Sequence, residues 1–423
     1  MLHTEDPIIR SLLLKCNIGL EKESLRITEK GNFAHTDHPF NDKHIGTDFC
    51  KNQTEVNTPV TSGPAEAVAS LEKYHAIIEK TLSEMNPREY LWPFSNPPYI
   101  INEDDIQKAP FSGDLEYKNE YSKYIERKYG RYKMSFSGIH FNYSFADELL
   151  EREFELSGES DFTEFKNQFY VTLAERAFAY SWIVTAVTAA SPVVDCSFFE
   201  RHGCNKTVFC GMASMRASEY GYWNFFAPII DYTNIRTYAD SIQSYVDRGL
   251  LRIPGELYSP IRLKPRGINN LPRLRNEGVN HIELRMIDLN PLVPAGIDVR
   301  DVFFCQLLLV WLAATERQPF SPMDQVQAIQ NFKNAAHYDL TTVHMVVPDG
   351  TVYSVQEAGL NIIGFLEEFY KDFPQDVQDC LAFEKAKFTN PENRYAYQVR
   401  EKFGEDFVKK GIELAKERQE LYL

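Results

Sequence analysis

Gly19-Leu-Glu-Lys-Glu-Ser-Leu-Arg26 carries two acids two positions apart, Glu21 and Glu23. Side chains alternate across a strand, so an extended segment here sets both carboxylates on one face. Like charges that close repel unless a cation lies between them or one takes a proton. The pattern recurs downstream. In Ser135-Phe-Ser-Gly-Ile-His-Phe-Asn-Tyr-Ser-Phe145, Ile139, Phe141, Tyr143 and Phe145 share one face, and Gly138, His140, Asn142 and Ser144 the other. In His281-Ile-Glu-Leu-Arg-Met-Ile287, Ile282, Leu284 and Met286 point one way and Glu283 and Arg285 the other. Strands that are apolar on one face and rich in carboxylates on the other describe the wall of a metal-dependent site. Strands of this kind, with helices between and after them, indicate an α+β fold.

Each piece alone has a plainer explanation. A single His140 faces water or satisfies a core hydrogen bond, and Glu283 with Arg285 makes an exposed ion pair. The combination is what counts. In Ile45-Gly-Thr-Asp-Phe-Cys-Lys-Asn-Gln-Thr-Glu-Val-Asn-Thr-Pro59, Asp48 and Glu55 are seven apart, the wrong parity for one strand face. Asp48 is therefore assigned to a loop, and Gln53, Glu55 and Asn57 to the strand that follows.

Five carboxylates (Glu21, Glu23, Asp48, Glu55, Glu283) and one histidine result. Hard oxygen donors suit Mg²⁺ or Mn²⁺, whereas zinc favours His and Cys. Five exceed what one Mg²⁺ takes when nucleotide phosphates share its shell, so more than one metal is expected.

Anions need donors, and Arg216, Arg262, Lys264 and Arg285 lie in or beside these segments. The planar fork of arginine matches phosphate oxygens. Tyr121, Tyr220-Gly-Tyr222 and Leu257-Tyr-Ser-Pro-Ile-Arg262 offer hydroxyls for a small zwitterion, although most of the 23 tyrosines serve packing. No GxGxxG, GK[ST] loop, GxSxG or HExxH occurs. Phosphate must then be held by metal and arginine.

The chain has 423 residues, 43% hydrophobic and 25% charged, with net charge −15. A nucleic-acid binder is more often basic. Seven cysteines without a CxxC pair fit free thiols in a reducing cytoplasm rather than a disulfide framework. Met1 to Pro7 shows no secretory pattern, and the apolar run Val302 to Ala314 is too short to span a bilayer.

The first 60 residues read as strands and loops. Ser62-Gly-Pro64 opens a helix with the stripe Val68, Leu71, Tyr74, Ile78 and Leu82, ending near Asn86-Pro87. Further helices are expected over Lys118 to Lys128, Thr163 to Ala189 and, capped by Asp298, through Ala314. Strands are expected over Arg131 to Phe145 and Asn280 to Leu289, with a loop-rich middle from Cys196 to Pro272. Beyond Pro322 the chain reads as helical, with a turn at Val347-Pro-Asp-Gly350 and a charged amphipathic helix from Tyr395. Without a clean linker, 1–423 is expected to form one catalytic domain, its sheet and helices within about 1–320 and a helical portion over 321–423.

These segments, in this order, resemble bacterial-type glutamate–cysteine ligase (γ-glutamylcysteine synthetase). The resemblance is carried by Gly19 to Arg26, Thr47-Asp-Phe49, Gln53-Thr-Glu-Val-Asn-Thr-Pro59, Leu91-Trp-Pro93 and Ser137-Gly-Ile-His-Phe-Asn142. It continues with Ala190-Ser-Pro192, Arg216 with Gly221-Tyr222, Leu257 to Arg262, and Glu283-Leu-Arg-Met-Ile-Asp-Leu-Asn-Pro291. It weakens in the C-terminal third.

The resemblance implies a curved, mainly antiparallel sheet of the glutamine synthetase and guanidino kinase type, with helices outside. It implies that Glu21, Glu23, Asp48, Glu55, His140 and Glu283 hold metal, and that Tyr121, Asn142, Arg216, Tyr222 and Tyr258 bind amino acids. Arg285 would meet the transferred phosphate, helped by Arg262 and Lys264, with Arg285, Glu283 and Glu55 as the catalytic set. The implied reaction joins L-glutamate and L-cysteine with ATP through a γ-glutamyl phosphate. A different amine acceptor is the alternative. No fused ATP-grasp module is seen, so the second step to glutathione is not expected on this chain. Oligomeric state is not legible. Small-molecule substrates are expected, with no nucleic acid or membrane partner, in the cytoplasm.

Overall fold

The structure, a computed structural model, describes residues 2–113, 116–201, 206–316, 318–347 and 350–423. Met1, Cys204 and the Pro348-Asp349 tip of the expected turn lie outside them. Seven strands form the main sheet: β1 (Cys16–Thr28), β2 (Ile45–Thr47), β3 (Gln53–Asn57), β4 (Glu89–Leu91), β5 (Ile139–Phe145), β6 (Ile261–Lys264) and β7 (His281–Ile287). Their order is β2-β3-β1-β5-β7-β6, and β4 pairs with the far end of β1. Every pairing is antiparallel, in line with the mainly antiparallel sheet the resemblance implies.

Register turns scattered residues into a row. Glu21 lies opposite Asn57 on one side and His140 on the other, and Glu23 lies opposite Glu55. Asn142 faces Gly19 and Glu283, and Glu283 faces Arg262. Between Ile139 and Phe141 the pairing with β7 shifts: Phe141 faces Leu284 while Ile139 faces Ile287, so β7 carries one extra residue. This bulge sits beside Arg285, and bulges re-aim side chains next to active sites. Strict alternation had placed Met286 on the apolar side. Met286 is buried, but Ile287 takes the place opposite Ile139.

The apolar face of β5, β6 and β7 (Phe141, Tyr143, Leu263, Ile282, Leu284) is fully buried in the larger core. Helices Pro64–Glu84, Phe162–Thr188 and Val299–Ala314 pack in that core. Asp161 and Asp298 accept hydrogen bonds from the first-turn amides of the latter two, the usual use of an N-cap carboxylate. The back of β1 departs from the apolar rule. Lys22 is buried against His75 (Nζ···Nε2 2.7 Å), and Arg26 is buried in an ion pair with Glu89 (2.7 Å).

Other elements were not foreseen. Pro7–Leu12 is a helical turn, and Asp147–Ser157 and Ile235–Asp247 are helices, the last within the stretch read as loops. The expected strand from Arg131 starts only at Ile139, because Tyr132–Ser135 forms a 3₁₀ turn. The C-terminal helix is two, Tyr395–Phe403 and Phe407–Leu421, broken where Asp406 is left-handed (φ 55°). They complete a second core with Leu25, Ile27, Trp92 and Phe94. The C-terminal portion thus packs against the sheet's first strand.

Candidate active site

The polar face of the sheet brings together most of the residues singled out in the sequence. Glu21, His140 and Glu283 each present a ligand atom, all within 4.8 Å of one another. His140 Nδ1 lies 3.0 Å from Glu21 Oε2 and 3.5 Å from Glu283 Oε1. Asn142 Nδ2 donates to Glu21 Oε1 at 3.1 Å, which leaves its own Oδ1 buried without a partner. Glu283 is fully buried. Arg285 donates to its Oε2 at 3.0 Å, and Lys264 Nζ sits 3.0 Å from Oε1. Oε1 nonetheless meets hydrogen-bond geometry with no group, and neither does the Arg285 Nε.

Charge explains how these groups titrate. For Glu283, burial pushes the carboxyl up, but Arg285, Lys264, His140 and Arg262 together hold it well below its ordinary value. Burial also works to raise Glu21, and the His140 hydrogen bond with the Lys264 charge brings it below normal. Burial and the Arg285 charge lower His140, favouring the neutral imidazole a metal requires.

Glu23 and Glu55 behave oppositely. Burial and then the Asp48 charge push Glu23 well above its ordinary range, and the same causes push Glu55 up to about 8. Directly opposed acids on neighbouring strands repel, so without a cation this pair retains protons. Gln53 Nε2 reaches Glu23 Oε2 at 3.4 Å. Asp48 lies just beyond β2, in the loop position expected. Among the described residues one set, Glu21–His140–Glu283, brings its ligand atoms within reach of a single ion, while Glu23, Asp48 and Glu55 are coupled through their charges. The orphaned Glu283 oxygen in that set fits a hard divalent ion.

Arg216 lies beside the face. Its guanidinium donates to the carbonyl oxygens of Arg285 (2.7 Å) and Ile287 (3.5 Å) and lies flat on Gly138, where a Cβ would come within 2.3 Å. Arg262 donates to the Leu257 carbonyl at 3.0 Å, and Lys264 is spent on Glu283. The tyrosines divide. Tyr258 has a buried hydroxyl without a partner. The Tyr222 hydroxyl donates to the Glu256 carbonyl at 2.8 Å. What it presents is a ring, 5.9 Å from that of Tyr258. Tyr121 stands half-buried on the helix Tyr117–Tyr129.

A groove of about 470 Å³ opens from Glu21 toward the start of β1, lined by Gly19, Asn57, Asn142, Ser144, Lys166, Arg266 and His281 among others. The sequence reading missed it, because Lys166 and Arg266 lie outside the strand motifs. A face that can hold divalent cations between carboxylates, with arginines and an open groove alongside, has the chemistry of a nucleotide-using enzyme.

The comparisons with known proteins agree. The family model for glutamate-cysteine ligase matches residues 3–250 and 225–335. The chain belongs to the glutamate–cysteine ligase family, a family of ligases of glutathione biosynthesis. It is 32% identical over 414 residues to a glutathione biosynthesis bifunctional protein of Listeria monocytogenes serotype 4b, covering 94% of this chain and 53% of that protein. To the bifunctional protein of Clostridium perfringens it is 29% identical over 432 residues, covering 98% and 55%. The chain spans about half the length of the curated relatives it matches. Both alignments run through the C-terminal portion, where sequence motifs had faded.

Among solved structures, a glutamate–cysteine ligase from Francisella tularensis in complex with AMP aligns with TM-score 0.85 and 22% identity, over 96% of this chain and 89% of that one. A bifunctional glutathione synthetase from Pasteurella multocida aligns with TM-score 0.84 and 24% identity, over 99% and 54%. These two show the fold. No helix among the described residues is long and apolar enough to cross a membrane.

Proposed function

We propose that this chain joins the γ-carboxylate of L-glutamate to the amine of L-cysteine with ATP, the first step of glutathione biosynthesis. The observation that carries this reading is the convergence of Glu21, His140 and Glu283 beside Arg285, on the sheet of a family member. Glu21, His140 and Glu283 would hold one Mg²⁺, and Glu23, Asp48 and Glu55 a second, with Mn²⁺ as the alternative ion. When bound, such ions neutralise phosphate oxygens and orient them for in-line transfer.

The chain's own groups do the rest. The groove beyond Glu21 takes the nucleotide, with Lys166 and Arg266 toward its phosphates. Phosphoryl transfer places attacking and leaving oxygens roughly in line, so the amino acids belong at the opposite end. Arg216, Tyr121, Tyr222 and Tyr258 stand there, with Asn142 steadying Glu21. The glutamate γ-carboxylate oxygen attacks the γ-phosphorus and ADP leaves. Arg285, with Arg262 and Lys264 nearby, faces the charge on the transferred group. The cysteine amine then attacks the acyl phosphate carbon, the amine loses a proton and phosphate departs, so no side-chain nucleophile is needed. A different acceptor amine gains no support from the family match.

We place this chemistry in the cytoplasm, on one catalytic unit spanning 1–423. None of the six described cysteines forms a disulfide, in keeping with that compartment. The test is release of ADP that requires Mg²⁺, glutamate and cysteine together, with the product identified by mass as γ-glutamylcysteine. Glu55→Gln should lower turnover about 100-fold or more. No ADP with all three present, or undiminished turnover in that variant, would overturn the assignment.

A further inference from the structure

Glu256 lies outside every motif read from the sequence, yet it is a buried hub beside the proposed amino-acid pocket. Its side chain is fully buried. Oε1 takes Lys128 Nζ at 2.6 Å and the Tyr129 hydroxyl at 2.8 Å, and Oε2 accepts the Arg252 amide at 2.5 Å. Its backbone carbonyl accepts the Tyr222 hydroxyl at 2.8 Å and Asn224 Nδ2 at 3.0 Å. Asn224 in turn donates to Tyr129 at 3.1 Å and accepts the Tyr258 amide at 2.7 Å. One residue therefore ties together three separate segments. They are the helix Tyr117–Tyr129 that carries Tyr121, the turn that carries Tyr222, and the strand lead-in that carries Tyr258.

The position of these rings bears on what they contact. Along β6, Lys264 lies opposite His281, which lines the nucleotide groove. Moving back through Arg262 to Tyr258 leads away from that groove. Tyr222 packs edge-on to Tyr129 (4.7 Å between centroids), and Tyr258 packs against Trp223 (4.5 Å). The glutamate donor carries its charges to Arg216, Arg285 and the cation sites. An aromatic wall suits the other reactant, because sulfur packs favourably at ring edges.

We propose that Glu256 is the positioning residue of the acceptor pocket: its buried carboxylate and carbonyl fix Tyr121, Tyr222 and Tyr258 into one wall. The proposal rests on the ligase reading above. A carboxylate buried with a lysine is costly to disrupt, since either partner left alone is an uncompensated charge. The cost here would appear as lost pocket shape.

Hydroxylamine separates pocket from chemistry. It is a small nucleophile that captures an acyl phosphate as a hydroxamate without needing side-chain contacts. In Glu256→Gln we expect the KM for cysteine to rise tenfold or more. The KM values for ATP and glutamate, and the rate of glutamyl hydroxamate formation, should stay within twofold. Tyr129→Phe, which removes one donor and spares the ion pair, should raise the cysteine KM about threefold, and it carries the test alone if Glu256→Gln does not fold. Parallel loss of the cysteine and hydroxylamine reactions, or an unchanged cysteine KM in the folded variants, would overturn the proposal. Failure of the ligase reading looks different: the unmodified chain would form no hydroxamate from glutamate and ATP, and the inference would fall with it.

Discussion

Gly138 owes its identity to a neighbour. A Cβ there would lie 2.3 Å from the Arg216 Cζ, and a Cβ on Gly221 would lie 1.9 Å from the Arg216 carbonyl oxygen. Two glycines therefore make room for one arginine, Gly138 for its guanidinium and Gly221 for its backbone carbonyl. Gly138→Ala must push the guanidinium off the Arg285 and Ile287 carbonyls. Arg216 is only partly buried and can swing toward solvent, so the effect on stability should stay within about 1 kcal/mol. If Arg216 holds an amino-acid carboxylate as proposed, the KM for glutamate should rise tenfold or more while that for ATP holds. Steady-state kinetics with each substrate varied in turn checks this, and an unmoved glutamate KM would remove Arg216 from the pocket. The sequence could place Arg216 near the site but could not show why the glycines stand where they do.

At the scale of the element, period-two alternation made the faces of β5 and β7 legible, because each pits aliphatic or aromatic side chains against polar ones; on β1 only the acid pair showed, since Lys22 and Arg26 occupy its other face. What lay hidden depends on pairing. The bulge opposite His140 arises from the register between two strands far apart in sequence, and single-strand periodicity cannot reveal it. The helix Ile235–Asp247 was lost among aromatic and basic residues, although Asn234 makes a full capping box with Thr237.

Glu79 lies on the helix Pro64–Glu84, outside the apolar stripe read from the sequence. It is buried and accepts from Gln419 of the C-terminal helix at 3.3 Å, with Lys22, Arg88 and Arg418 as nearby cations. Burial outweighs these partners and pushes its carboxyl up to about 7. The folded chain then binds a proton that the unfolded chain has released, and this contribution is fully present below about pH 4. It is lost as pH rises through about 7. Glu79→Gln removes that dependence. Relative to the variant, the unmodified chain should lose on the order of 3 kcal/mol between pH 4.5 and pH 8. Urea unfolding of both proteins across that range measures it, and parallel curves would mean that Glu79 ionises freely when folded.

Over the whole molecule, the proposed reaction asks a chain of net charge −15 to bind an anionic nucleotide. Arg262, Lys264 and Arg285 stand at the site, but Glu283 already engages Lys264 and Arg285. Burial and the Asp48 charge outweigh the cations near Glu23 and Glu55 and favour their protonated forms. Divalent ions would resolve both conditions by replacing protons on Glu23 and Glu55 and freeing arginine for phosphate. An ion that binds only the folded state stabilises it by mass action, about 2.7 kcal/mol at a hundredfold excess over Kd. Thermal unfolding should therefore shift upward with Mg²⁺ alone, and by more than the sum of separate effects when a nonhydrolysable ATP analogue is present. Glu55→Gln should flatten the response to Mg²⁺ alone. Sodium chloride at matched ionic strength screens exposed charges but cannot enter an oxygen cage as a divalent ion does. An equal upward shift with sodium would assign the effect to screening of the whole charge and leave the cation sites without support.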